Sequence, residues 1–172
     1  MRNDEAKMEP LNRENSGWDI ARCWLAAIEE TARDFHGTRP RSFCERGYEH
    51  ATVRWFQILE EQYGISVPKA TSVKEAIEHH IELGVRAGLF RDASQFEMKQ
   101  VNPHRLEIRV LECPYRATCV NLLETGFTIR DLTCARIGAF RASAQILTGT
   151  ACKYEVTGFR PDGLCDGYIE HR

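Results

Sequence analysis

No window of 18 apolar residues occurs in this 172-residue chain, so no segment of it is built to span a bilayer as a helix. Neither sign of charge dominates. The 23 Lys and Arg stand against 25 Asp and Glu, a formal net charge of −2, and a polyanion finds no global field to hold it. Nucleic acid is therefore not an expected partner. Glycine and proline number only 12 and 6, with no internal repeat or low-complexity run, which sets aside collagen-like and disordered designs. The opening residues MRNDEAKMEP lack the apolar core of a signal peptide, and a cytoplasmic location is the expectation. Also missing are the H-E-x-x-H, G-x-S-x-G, Walker and dinucleotide-glycine motifs. A serine hydrolase has no support, since Ser143 has no sequence cue for a base.

Cysteine is the residue in excess. Seven are present, an odd number that cannot all pair within one chain, and a core of this size needs no disulfide staples. The thiols are therefore read as reduced core residues or as metal or cluster ligands.

Residues 1–16 hold many charges and few aliphatics, and are expected to be a flexible tail ahead of a single domain over 17–172. From Trp18, the spacing of Ile20, Trp24, Ala27, Ile28, Thr31 and Phe35 predicts one face of a first helix that stops at Gly37. Ser42 and Glu45 have capping-box spacing and open a second helix over 43–63. Ser72 and Glu75 repeat that signal for a third, with Ile77, Ile81, Gly84 and Val85 along it, ending near Gly88. The period then changes to two. Phe96 and Met98 alternate with polar residues, Asn102-Pro103-His104 makes a turn, and Leu106, Ile108 and Val110 alternate again, which predicts a hairpin with one wet face. A short helix ending at Glu124 precedes a long one over 129–147, rich in small residues. Lys153 to Phe159, a turn at Pro161-Asp162-Gly163 and Leu164 to Glu170 predict a second hairpin. The expected fold class is α+β: three N-terminal helices, then an antiparallel sheet from two hairpins with a long helix between them, covered on one face.

Cys23, Cys44 and Cys152 sit where small thiols fill cores. Cys113, Cys119, Cys134 and Cys165 instead fall at element ends, where distant parts of a chain converge. Four thiolates complete a tetrahedral zinc shell or hold an iron–sulfur cluster, although the C-x-x-C knuckle is absent. Glu155 is a candidate oxygen ligand. In a hairpin with a three-residue loop, Phe159 faces Cys165 and Glu155 lies about 13 Å further along, so bringing them together requires a bulge, for which Gly158 is suited. His79 and His80 project about 100° apart on the third helix, so one lines the core while the other meets water. Trp24, Trp55, Phe140 and Tyr154 are candidates to line an apolar ligand pocket if the helices stand off the sheet.

From Leu106 to Glu170 the chain resembles the 4-vinyl reductase, or hydrocarbon-binding, domain family, and is similar also to L-2-amino-thiazoline-4-carboxylic acid hydrolase-like proteins. The residues that carry this are the strand ending Glu112-Cys113-Pro114, the helix CARIGAFRASAQILTG, the strand YEVTGF and the late cysteine in GLCDGYIE. The resemblance implies an α+β domain, commonly dimeric, that binds a small hydrophobic or aromatic molecule. It also implies a zinc held by Cys134, Glu155 and Cys165, with Gly158 standing where the family has a fourth ligand, which Cys113 or Cys119 would replace. The expected function is thus a small-molecule-binding sensor or accessory domain with a cysteine-based zinc site, acting with a homodimer partner or an output protein. The alternatives are a small metal-dependent hydrolase of the amino-thiazoline carboxylate type and an iron–sulfur protein on Cys113, Cys119, Cys134 and Cys165.

Overall fold

Alternating polarity decides which face of the sheet is dry. In the computed structural model, which describes residues 13–37, 41–160 and 164–172, four strands run antiparallel: β1 (Phe96–Asn102), β2 (Arg105–Val110), β3 (Cys152–Phe159) and β4 (Cys165–His171). Their order is β1-β2-β4-β3, so the two hairpins join through β2 and β4. The register pairs Phe96 with Val110, Val110 with Cys165, and Ile108 with both Met98 and Gly167, and these residues face the helices. The other face is a ladder of charge. Arg109 bonds Asp166 at 2.6 Å and reaches Glu97 at 3.4 Å, Lys153 meets Glu170 at 3.2 Å, and the Arg105 guanidinium lies 3.7 Å over the Tyr168 ring. A hollow of about 540 Å³ on this face is lined by Glu97, Lys99, Glu107, Arg109 and Asp166, whose charges are already matched.

The helices are α1 (Arg13–His36), α2 (Arg41–Tyr63), α3 (Val73–Arg86), α4 (Arg116–Glu124) and α5 (Ala135–Thr148), with a 3-10 turn at Ala93–Gln95. None is long and apolar enough to cross a membrane among the described residues. The expected α+β architecture, three helices and then a sheet covered on one side, is what the chain adopts. Its centre is α5. Ile137, Phe140, Ala142, Ser143 and Ala144 are all fully buried, because the helix lies between the sheet and the α2–α3 pair. Small residues permit that depth. A Cβ on Gly138 would stand 2.3 Å from the Tyr48 ring of α2, and one on Gly167 would stand 2.7 Å from Ile137. Ser72 caps α3 by accepting from the Glu75 backbone, while the Glu75 carboxylate accepts from Thr71 instead of from Ser72 itself.

Several expectations are corrected. The long helix starts at Ala135, not residue 129: Asp131 folds back to accept from the Thr128 N–H and hydroxyl, and Cys134 takes φ 49° as the cap. The second helix starts at Arg41, which leaves Ser42 inside its first turn. The stripe of Ile20, Trp24, Ile28 and Phe35 points outward, with Trp24 67% exposed. Its inward face is Leu25, Glu29 and Ala32, pinned because the Glu29 carboxylate accepts from Tyr48 at 2.8 Å and Thr133 at 2.5 Å. With that rotation Cys23, expected in the core, is exposed, whereas Cys44 and Cys152 are buried. The helix reaches back to Arg13, into the segment expected as tail, and the turn at 161–163 lies outside the described residues.

Candidate ligand-binding site

Helix α3 presents Ile77, His80, Ile81 and Gly84 inward at helical spacing, so a histidine enters an apolar interior. His80 is 2% exposed. Its ring lies 4.8 Å from Trp55 of α2, 4.9 Å edge-on from Phe140 of α5 and 6.0 Å from Phe90, which stacks on it from the loop after α3. Phe96 of β1 closes the ring of aromatics against Phe90 and Phe140. Nδ1 of His80 shares a short hydrogen bond with Ser143 Oγ, and Nε2 is buried with no partner. Burial, helped by the nearby Arg136 charge, pushes the imidazole down to about 3, so at neutral pH the ring is uncharged and offers one free nitrogen. Phe90 is seated by Gly84, where a Cβ would come within 2.3 Å of its ring.

Helix α5 buries two arginines, and their surroundings differ. Arg141 is matched: Nη1 donates to Glu49 at 2.6 Å and Nη2 to the Glu45 carbonyl at 3.0 Å. Arg136, 3% exposed, lies 4.4 Å over the Phe90 ring and 5.6 Å from that of Tyr115, and hydrogen-bonds Cys113. No described ion pair includes it, and its Nε and Nη2 are buried without partners. Sequence reasoning did not single out Arg136. Arg136 and Arg141 are the only charged residues between Cys134 and Gly149, a pattern that marks both for burial but does not say which one lacks an acid.

Of the aromatic candidates, Trp55 and Phe140 meet at His80. Trp24 does not join them, being on the outer face of α1. Tyr154 is buried, but its hydroxyl already donates to the Thr133 carbonyl, linking it to the Glu29, Tyr48 and Thr133 cluster.

The thiol candidates divide in the same way. Cys134 and Cys165 stand with sulfurs 3.9 Å apart. Hydrogen bonding from Cys165, together with the Ile137 N–H at the start of α5, draws the Cys134 thiol down, and the same contact with burial pushes Cys165 up. Cys113 and Cys119 lie near enough that charge on Cys134 opposes theirs; burial raises both, Cys113 to about 11. Glu155 is elsewhere. The bulge that Gly158 was expected to supply is present between Val156 and Gly158, yet Glu155 pairs with Tyr168 on the charged face and binds Arg41 at 2.8 Å. Among the described residues no three or more His, Cys, Asp or Glu side chains are set as a metal site. A tetrahedral zinc at about 2.3 Å separates its ligand sulfurs by about 3.8 Å, so Cys134 and Cys165 fit two corners and Glu155 fits none.

No family model matches the chain, and no curated protein matches it by sequence. Among solved structures, the phenol-responsive sensory domain of the transcription activator PoxR, determined with phenol, is similar with a TM-score of 0.57. The match covers 87% of this chain and 74% of that one at 15% identity. The chain shares the fold of that sensory domain.

Proposed function

We propose that this chain is a small-molecule-binding domain of the sensory, 4-vinyl reductase type, which takes a one-ring aromatic or similar apolar molecule between α2, α3, α5 and β1. The observation that carries the reading is His80: a neutral imidazole, oriented by Ser143, walled by Trp55, Phe90 and Phe140, with Nε2 buried and free. A buried polar atom without a partner is costly, and a ligand hydroxyl or carboxyl group is what such an atom lacks. Phe90 occupies the space beside His80 and moves aside as the ligand enters. The fold shared with a phenol-responsive sensory domain supports the same reading. Calorimetry with phenol and benzoate as probes tests it. At least one binds saturably to the full chain and about tenfold more weakly to His80→Phe; no binding of either, or equal binding by the variant, contradicts it.

Zinc is the second part of the proposal, held by Cys134 and Cys165 and completed by Cys113 and Cys119, with an iron–sulfur cluster as the alternative on the same thiols. The sulfur spacing of 3.9 Å supports it. Such a closed, redox-inert shell ties the end of β2, α4, the start of α5 and β4 at one point, below the ligand site. A metal-dependent hydrolase draws less support, because Glu155 lies on the opposite face from the thiols and leaves no open site of Cys134, Glu155 and Cys165. The signal is read by a second copy of the chain, for which the outward apolar stripe of α1 is the candidate contact.

A further inference from the structure

Arg136 sets the charge of the ligand, an inference that rests on the pocket proposed around His80. A guanidinium buried in an apolar interior needs a counter-charge, and Arg141, one and a half turns further along α5, shows how this fold supplies one through Glu49. Arg136 has no such acid among the described residues, and only its contact with Cys113 is made. The two nitrogens left over are Nε and Nη2. They form one edge of the planar guanidinium, the edge whose parallel N–H groups match the two oxygens of a carboxylate. The Arg136 guanidinium lies over the Phe90 ring and the same ring stacks on His80, so one aromatic side chain touches both groups that are short of partners.

We infer that the ligand is a one-ring aromatic carboxylate, whose ring displaces the Phe90 side chain and whose carboxylate takes the Nε and Nη2 edge of Arg136. A monoanion is specified because Arg136 leaves one two-nitrogen edge open, Nε and Nη2, its other contact being with the Cys113 sulfur. A phosphate would bring a second negative charge into the interior with no cation to meet it. His80, in this arrangement, donates from Nε2 to the same carboxylate or to a ring substituent, with Ser143 holding the tautomer.

The test is the affinity of the full chain for benzoate against its neutral near-isostere benzyl alcohol, measured by calorimetry at neutral pH in wild type, Arg136→Met and Arg136→Lys. Benzoate is expected to bind about tenfold or more tighter than benzyl alcohol in the wild type. Arg136→Met abolishes that preference while keeping benzyl alcohol affinity within about threefold. If Arg136→Met does not fold, Arg136→Lys, which keeps the charge and loses the fork, lowers benzoate affinity about fivefold and leaves benzyl alcohol unchanged. Benzyl alcohol binding as tightly as benzoate, with His80→Phe weakening both, overturns the assignment of charge and leaves the pocket standing. A preference that survives in both Arg136 variants overturns it too. Absence of binding by benzoate and benzyl alcohol overturns this inference, and absence of phenol binding as well overturns the pocket with it.

Discussion

His80 ties the site to the pH dependence of the fold. Unfolded, its imidazole takes up a proton near pH 6.5; folded, it does so only at about 3. Between those values the unfolded chain holds the extra proton, so stability is complete above about 6.5 and falls as pH drops, by up to about 1.4 kcal/mol per pH unit. The buried Glu29 carboxyl works in the opposite sense, because burial raises it and the folded chain binds its proton first. Comparing wild type with His80→Gln in urea unfolding from about pH 7 to about pH 4.5 cancels the Glu29 contribution, and the variant is expected to show the shallower loss; parallel curves would contradict the assignment. Elemental analysis of protein purified without oxygen addresses the thiols. Zinc near one per chain that falls in Cys134→Ser and Cys165→Ser, but not in the exposed Cys23→Ser, is the expected result; equal retention in all three contradicts the zinc proposal. At this scale the sequence was readable in part. Trp55 and Phe140 were recognisable as aromatics turned toward the interior, where they meet His80, and an inward member of the His79 and His80 pair was required by the helical period. Arg136 was not, because nothing in spacing says whether a buried arginine finds its acid. Glu155 looked like a ligand because it is near Cys165 in the chain, but strand alternation sends its side chain to the other face of the sheet.

Helices were legible where period and caps agree. Ser72 and Glu75 mark α3, and the alternation from Phe96 to Val110 marks β1 and β2, joined at the expected turn, although the register shifts between Gln100 and Asn102 beside it. Legibility failed where polar side chains override the pattern. The Thr128 and Asp131 turn delays α5, and a buried glutamate, not the apolar stripe, chooses the inward face of α1. That choice leaves Ile20, Trp24, Ile28 and Phe35 exposed along one ridge of α1. Contiguous apolar faces of this kind mark contact surfaces. Sedimentation is expected to show a dimer for the wild type that dissociates about tenfold or more readily in Trp24→Glu, since a charge then enters the contact. A wild-type monomer, or a variant dimer of equal strength, would contradict the homodimer. The same helix pair shows how closely α5 is held. The approach of Tyr48 to Gly138 admits no Cβ, which makes α2 and α5 one unit beneath the aromatic cluster.

Across the whole molecule, the sheet gives its charged face to solvent and its dry face to α5, and α2 and α3 close over α5. Among the described residues, Nε2 of His80 and Nε and Nη2 of Arg136 are buried without partners in that interior, and the His80 ring and the Arg136 guanidinium both pack on Phe90. A protein whose interior served stability alone would have replaced them with apolar side chains or paired their charge, as it does for Arg141 with Glu49 and for Glu29 with Tyr48 and Thr133. Of the cysteines, the feature most prominent in the sequence, Cys134 and Cys165 come together at one end of the same helix, with Cys134 capping it and Cys165 beside it. The most direct test of the binding site is the imidazole nitrogen spectrum of His80 during titration of the full chain with phenol and with benzoate. The account predicts that Nε2 shifts saturably with at least one of them while Nδ1, held by Ser143, stays in place; no response of Nε2 to either at high concentration would contradict it.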